Sequence, residues 1–167
     1  MPYIFLAVAL HECGHFALIR LCGLKVTKIQ ATILGFAITT NAGLSSYLSE
    51  IAVALAGPFA SILAAVCASC LASLGYFPDG LYFFSGLNIL FGLINLLPAS
   101  KLDGGRALFA CLNLLAQPDT AYRVAYFVHV LTAVLVILAG GFILYATKYN
   151  LSLLLIGIWL LVSSRPE

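Results

Sequence analysis

The sequence predicts an all-α membrane protein: a polytopic bundle of about five transmembrane helices with a short membrane-associated β-hairpin. Three observations point there. The chain is 63% hydrophobic and only 8% charged, where an ordinary soluble domain carries about 25% charged residues; too few charges remain to cover a water-facing surface. The apolar residues fall into runs close to the roughly 20 that cross a hydrocarbon core as a helix. Between the first two runs lies a stretch rich in Thr, Ile and Val that is too polar at its start to span. At 167 residues the chain has room for one domain, residues 1–167, with a core over 1–115 and accessory helices over 120–167.

The elements follow in order. Pro2 to Leu21 is the first span. It lacks a basic leading region and carries histidines, so it is kept in the mature chain rather than read as a cleaved signal. "KVTKIQATILGFAITTNAG", residues 25–43 with Gly35 at its middle, has the β-branched richness of two short strands. Ser46 to Leu74 is the second span, and Gly57-Pro58 inside it allow close packing and a bend. Leu81 to Leu97 is the third, ended by Pro98, whose missing N–H cannot continue a helix. After the break "PASKLDGG" a helical piece runs to about Leu115. Val124 to Thr147 is the fourth span, and Leu151 to Val162 a fifth, short unless it borrows flanking residues.

The five cysteines, Cys13, Cys22, Cys67, Cys70 and Cys111, lie in or beside apolar runs and read as small buried apolar side chains. Cys67-Ala-Ser-Cys70 has no second pair to complete a metal site. Basic residues orient the chain, since loops rich in Lys and Arg stay inside. Arg20, Lys25, Lys28, Lys101, Arg106, Arg123 and Arg165 fall on one side and only Lys148 on the other. The hairpin and the "LDGG" break then face the cytoplasm.

Inside the first span stands His11-Glu12-Cys13-Gly14-His15, an HExxH pattern. Positions i and i+4 of a helix share a face, so two imidazoles can hold one zinc ion. Glu12, one step round, can take a proton from the water that such an ion activates. Incidental polar residues of a bundle are the alternative. Each ionisable group near the bilayer centre costs about 2.5–3.5 kcal/mol, so this cluster needs a compensating partner, and a metal supplies one.

A catalytic zinc has three protein ligands and one open position. The third must come from elsewhere. Besides the pair the chain has only His129, alone in apolar surroundings and read as hydrogen-bonded within the bundle. Glu50, Asp79, Asp119 and Glu167 sit at span ends or loops, where a solvated charge is ordinary. Asp103 follows the proline break and precedes two glycines; it reads either as a ligand or as the N-cap of the next helix.

Together these motifs resemble the site-2 protease family of intramembrane zinc metalloproteases, peptidase family M50. "HECGH" is similar to its HExxH in an early transmembrane helix, "INLLPASKLDGGR" to its Asn-Leu-Leu-Pro run leading to Leu-Asp-Gly, and "ALAGPF" to its Gly-Pro element in the intervening helix. The resemblance runs from about residue 3 to residue 115. It implies a three-helix core, zinc held by His11, His15 and Asp103, Glu12 as general base, and cleavage of a membrane-embedded peptide. The compact length resembles the bacterial type related to a sporulation protease that processes a sigma-factor precursor. Ser61 stands where the family often has Asn. The segment from Leu24 to Ser45 is too short for a PDZ domain, no CBS domain is expected after the last span, and the upstream helix of many relatives has no counterpart.

The remaining polar groups complete the expectation. The break from Pro98 to Gly105 puts irregular backbone at membrane depth, which is tolerated where it lines a wet cavity; water would enter from the cytoplasmic side. A helical substrate must unwind before attack, and the hairpin edge reads either as a strand-addition site for it or as a plain surface loop. Asn88 and Asn95 share a helix face. Asn95 is expected to act as a catalytic residue by holding the substrate backbone or the oxyanion, and Asn88 to make an interhelical hydrogen bond. The expected function is an intramembrane zinc endopeptidase with Zn2+ as cofactor; the alternative is a catalytically silent membrane protein of the same fold that binds a helix or a metal. A metal transporter would need more ionisable groups along its path. The expected partners are a membrane-embedded protein substrate and the lipid bilayer, with no nucleic acid and an open oligomeric state. The expected location is the bacterial cytoplasmic membrane.

Overall fold

The computed structural model describes residues 2–23, 26–32, 35–40 and 46–163. In chain order these form α1 (Pro2–Leu21), β1 (Val26–Thr32), β2 (Gly35–Thr40), α2 (Tyr47–Ser73), α3 (Pro78–Asn95), α4 (Asp103–Leu115), α5 (Pro118–Thr147) and α6 (Ser152–Val162). The chain divides into two compact units, Met1–Leu96 and Leu97–Glu167.

In the first unit α1, α2 and α3 pack on one another. Small residues let them approach closely: Ala54, Gly57, Ser61, Ala65, Ala68 and Ala72 form the buried side of α2. Without a hydrophobic drive between helices in lipid, such close packing holds membrane helices together. Gly14 of α1 shows how tight it is, since a Cβ there would lie 2.6 Å from the Ala56 carbonyl oxygen. Ser46 caps α2, its hydroxyl accepting the Leu48 N–H at 3.3 Å. Pro78 starts α3 at its first turn, where the missing N–H costs nothing. β1 and β2 pair antiparallel, from Val26 opposite Thr40 to Thr32 opposite Gly35, with a register shift between Val26 and Lys28.

In the second unit a turn over residues 97–102 leads into α4, which packs on α5, and α5 packs on α6. The α5–α6 contact is again made at glycines. A Cβ on Gly140 would lie 2.5 Å from the Leu154 backbone nitrogen, and one on Gly157 2.7 Å from the Ile137 side chain. Leu160 and Ala133 are fully buried between them.

The expected all-α bundle of about five crossings with a hairpin is corrected in its number of crossings, while β1 and β2 do pair as a hairpin. Among the described residues there are six helices, and three of them, α1, α2 and α5, are long and apolar enough to cross a membrane. α3 has 18 residues, but Asp79, Asn88 and Asn95 dilute its hydropathy. α6, at 11 residues, rises only about 16 Å at 1.5 Å per residue, against a core of about 30 Å. Lys25, Arg165 and Glu167 lie outside the described residues, as do parts of the 25–43 stretch.

The surface is apolar: Phe5, Leu21 and Phe142 are among many large side chains left exposed, an arrangement stable in lipid rather than in water. The chain is an integral membrane protein. The cysteines differ from expectation, because all five are free and exposed. Lipid solvates a thiol's small apolar body as well as a core does, so hydrophobicity did not require them to be buried.

Candidate metal centre

α1 presents His11 and His15 on its buried face, at 2% and 6% exposure, with Ala7 and Ile19 continuing the same stripe. Their Nε2 atoms stand 3.2 Å apart. Two nitrogens on one tetrahedral zinc, each about 2.0–2.1 Å from it, would be about 3.3 Å apart, so the pair is spaced to share an ion.

The opposite edge of each ring is held by α2. His15 Nδ1–H donates to the Val53 carbonyl at 2.8 Å. A carbonyl only accepts, so the proton is on Nδ1 and the Nε2 lone pair faces outward. His11 Nδ1 bonds the Ser61 hydroxyl at 3.0 Å. That hydroxyl can accept from Nδ1–H, turning the His11 Nε2 lone pair toward the same point. Two lone pairs facing at 3.2 Å repel unless a cation lies between them. The hydroxyl can also donate, leaving a proton on His11 Nε2 for His15. Ser61 thus serves both the loaded and the metal-free pair. Partners on the far ring nitrogen fix tautomer and orientation in metal-binding histidines.

Two further residues shape this half of the site. Phe91 of α3 meets the His11 ring edge to face, centroids 4.8 Å apart at 73°. Gly57 of α2 lies directly over the nitrogens: a Cβ there would come 2.7 Å from His11 Nε2 and would run into His15 Nε2. The missing side chain leaves room beside both nitrogens. Glu12 follows His11 on α1 and is partly exposed.

Asn95 is the last residue of α3, buried at 7% exposure. Its Nδ2 donates to the Phe91 carbonyl one turn back at 3.0 Å, leaving a second amide hydrogen on the same nitrogen. Asn88 does the same with Phe84 at 2.9 Å, so the bond expected to another helix is made within α3.

In the second unit Asp103 is the first residue of α4 and is buried at 8% exposure. The N-cap is Leu102, with no side-chain capping bond, so Asp103 is not the cap. Its carboxylate sits 3.8 Å from the Arg106 guanidinium, beyond hydrogen-bond length, and the arginine is half exposed. Gly105 lets the preceding turn fold onto α4, since a Cβ there would collide with the Ala99 carbonyl. His129 of α5 is buried, and its Nδ1 accepts the Ser100 N–H at 3.0 Å.

The structure therefore brings His11 and His15 together in the first unit and places Asp103 on a separate helix start in the second. Sequence reasoning missed three contributors. The Val53 carbonyl has no signal, because every residue offers one. Ser61 was visible only as a departure from a pattern, and Gly57 only as a packing glycine.

Comparison with known proteins places this geometry. The family model described as Peptidase family M50 matches residues 75–139, which include Asn95 and Asp103. A zinc metalloprotease of Methanocaldococcus jannaschii is 31% identical over 116 residues, 66% of this chain and 33% of that protein. Stage IV sporulation protein FB of Bacillus subtilis is 28% identical over 169 residues, covering 98% of this chain and 57% of its own length. The chain thus spans between a third and somewhat over half of these curated relatives. Among solved structures, the site-2 protease from Methanocaldococcus jannaschii superposes with a TM-score of 0.72 at 25% identity, over 97% of this chain and 74% of that one. With the paired histidines of α1, the Asn-Leu-Leu-Pro run and a fold shared over nearly its whole length, the chain is similar to proteins of peptidase family M50.

Proposed function

We propose that the protein is an intramembrane zinc endopeptidase that hydrolyses a peptide bond within or near a transmembrane segment of a membrane-bound protein. The observation that carries this reading is the His11–His15 pair, spaced for one ion and oriented from behind by Val53 and Ser61. Residues 1–167 act as a single metalloprotease domain, and His11, His15 and Asp103 hold the zinc. Support for Asp103 is chemical. A carboxylate oxygen is one of zinc's usual ligands, and this one is buried at the start of α4.

Bound zinc would supply a Lewis acid that polarises a carbonyl oxygen and acidifies water. The chain does the rest. Glu12, beside His11, accepts the proton of the attacking water and returns it to the leaving amine. Asn95 offers its remaining amide hydrogen to the developing oxyanion; losing such a donor costs about 3 kcal/mol in the barrier. α1 and α2 hold the histidine pair within the apolar span. Seven of the eight basic residues assigned to one side support a site facing the cytoplasm of a bacterial membrane.

Co-expression with a library of single-span membrane proteins tests this, comparing the wild type with Glu12→Gln. Fragments made by the wild type and lost in the variant are the expected result. Identical fragment patterns would leave the silent, helix-binding reading in its place.

A further inference from the structure

The accessory helices have no role in the chemistry above, yet one of them holds a buried histidine against the turn that leads to Asp103. His129, 1% exposed, lies on α5. Its Nδ1 accepts the backbone N–H of Ser100 at 3.0 Å, and the Ser100 hydroxyl stands 3.4 Å from the same nitrogen. An Nδ1 that accepts from a peptide N–H carries no proton, so the ring's proton is on Nε2.

The turn itself is short and braced. Ala99 N–H donates to the Leu97 carbonyl at 2.8 Å, Leu102 N–H to the Ala99 carbonyl at 2.8 Å, and Arg106 N–H to the Leu102 carbonyl at 3.1 Å. Ala99 and Leu102 are buried, and Gly105 admits the Ala99 carbonyl where a Cβ would exclude it. None of these bonds leaves the turn and the start of α4. The bond to His129 ties the segment to a long helix, and Asp103 begins α4 three residues after Ser100.

We propose that His129 is a positioning residue: by accepting the Ser100 N–H it latches the 97–102 turn to α5 and so sets where the Asp103 carboxylate stands. The inference rests on the reading of Asp103 as a zinc ligand. It gives the accessory helices a definite task, which is to hold the third ligand's approach rigid while the helix pair α5–α6 itself stays outside the chemistry. An outer partner that orients a ligand through a chain of bonds changes metal affinity by about 10- to 100-fold.

The test uses the full-length protein in nanodiscs, with His129→Phe, His129→Asn and Asp103→Asn. Zinc affinity is read by competition with a chromogenic chelator, Ser100 amide exchange by hydrogen–deuterium exchange, and folding by thermal melting. Phenylalanine keeps the ring's bulk without an acceptor, and asparagine places Oδ1 where Nδ1 stood. His129→Phe is expected to weaken zinc binding about tenfold and to speed Ser100 exchange by about fivefold, and His129→Asn to restore both. Wild-type zinc affinity and exchange in His129→Phe would overturn the proposal. So would an Asn variant that melts like the wild type but binds zinc as poorly as the Phe variant. If Asp103→Asn leaves zinc affinity unchanged, the ligand reading falls by itself. The exchange of Ser100 then decides the latch: unchanged protection in His129→Phe overturns it, and lost protection restored by Asn upholds it.

Discussion

Replacing Gly57 by alanine adds one methyl group at the most sensitive point of the first unit. An ideal Cβ at this position would lie 2.7 Å from His11 Nε2, 2.6 Å from His15 Cε1 and closer still to His15 Nε2, where real Cβ atoms essentially never come within 3.0 Å. Something must shift. If the rings turn away, His15 loses its 2.8 Å bond to Val53 and His11 its 3.0 Å bond to Ser61, each worth about 1 kcal/mol. If α2 moves instead, the packing of Gly14 against Ala56 is lost, at a typical overpacking cost of about 1–3 kcal/mol. Either way the nitrogens leave their shared focus. With both outer partners disturbed, and about 10- to 100-fold in metal affinity for each, zinc binding should fall by at least about 100-fold. The assay is chelator competition on purified protein, with thermal melting alongside. Gly86→Ala is the control, because a Cβ there meets nothing within 4 Å; it should leave zinc binding unchanged and, as a glycine removed from a helix interior, add about 0.5–1 kcal/mol of stability. A Gly57→Ala protein that bound zinc within about twofold of the wild type would refute the reasoning.

Other expectations follow from the same geometry. Ser61→Ala removes the hydroxyl behind His11 and should weaken zinc about tenfold, measured by the same competition, whereas Ser61→Asn keeps a polar partner and should lose less. Asp103→Asn keeps the size of the side chain but not its charge and should lower zinc content measured by elemental analysis. Glu12→Gln should retain zinc and lower the cleavage rate by about 100- to 10,000-fold, followed on a membrane-embedded substrate.

How much of this could be read from residues depended on whether side chains or backbone carried it. The HExxH spacing is a statement about one helix, and α1 delivers it: His11 and His15 face the same way because 3.6 residues make a turn. Asp103 stood out because Pro98 and the glycines marked a break before it. The expectation failed where lipid and core look alike. An apolar run does not say which of its faces is buried, so the cysteines were placed inside and are exposed. It does not say whether it crosses, so α3 and α6 were counted as spans. Asn88 was given to a neighbouring helix, but in an apolar medium the nearest acceptor, the Phe84 carbonyl one turn back, wins. Gly57 reads as a packing glycine in any membrane helix; only the position of the two imidazoles beneath it shows what its missing Cβ leaves room for. The partners of His15 and His129 are backbone groups of Val53 and Ser100, and a backbone group has no identity in a sequence.

X-ray absorption at the zinc edge of the purified, membrane-reconstituted protein tests the central claim most directly. The account expects about one zinc per chain, with the multiple-scattering signature of two imidazoles and light-atom neighbours at about 2.0–2.1 Å. Protein that folds but carries no stoichiometric metal, or zinc without an imidazole signature, would contradict it.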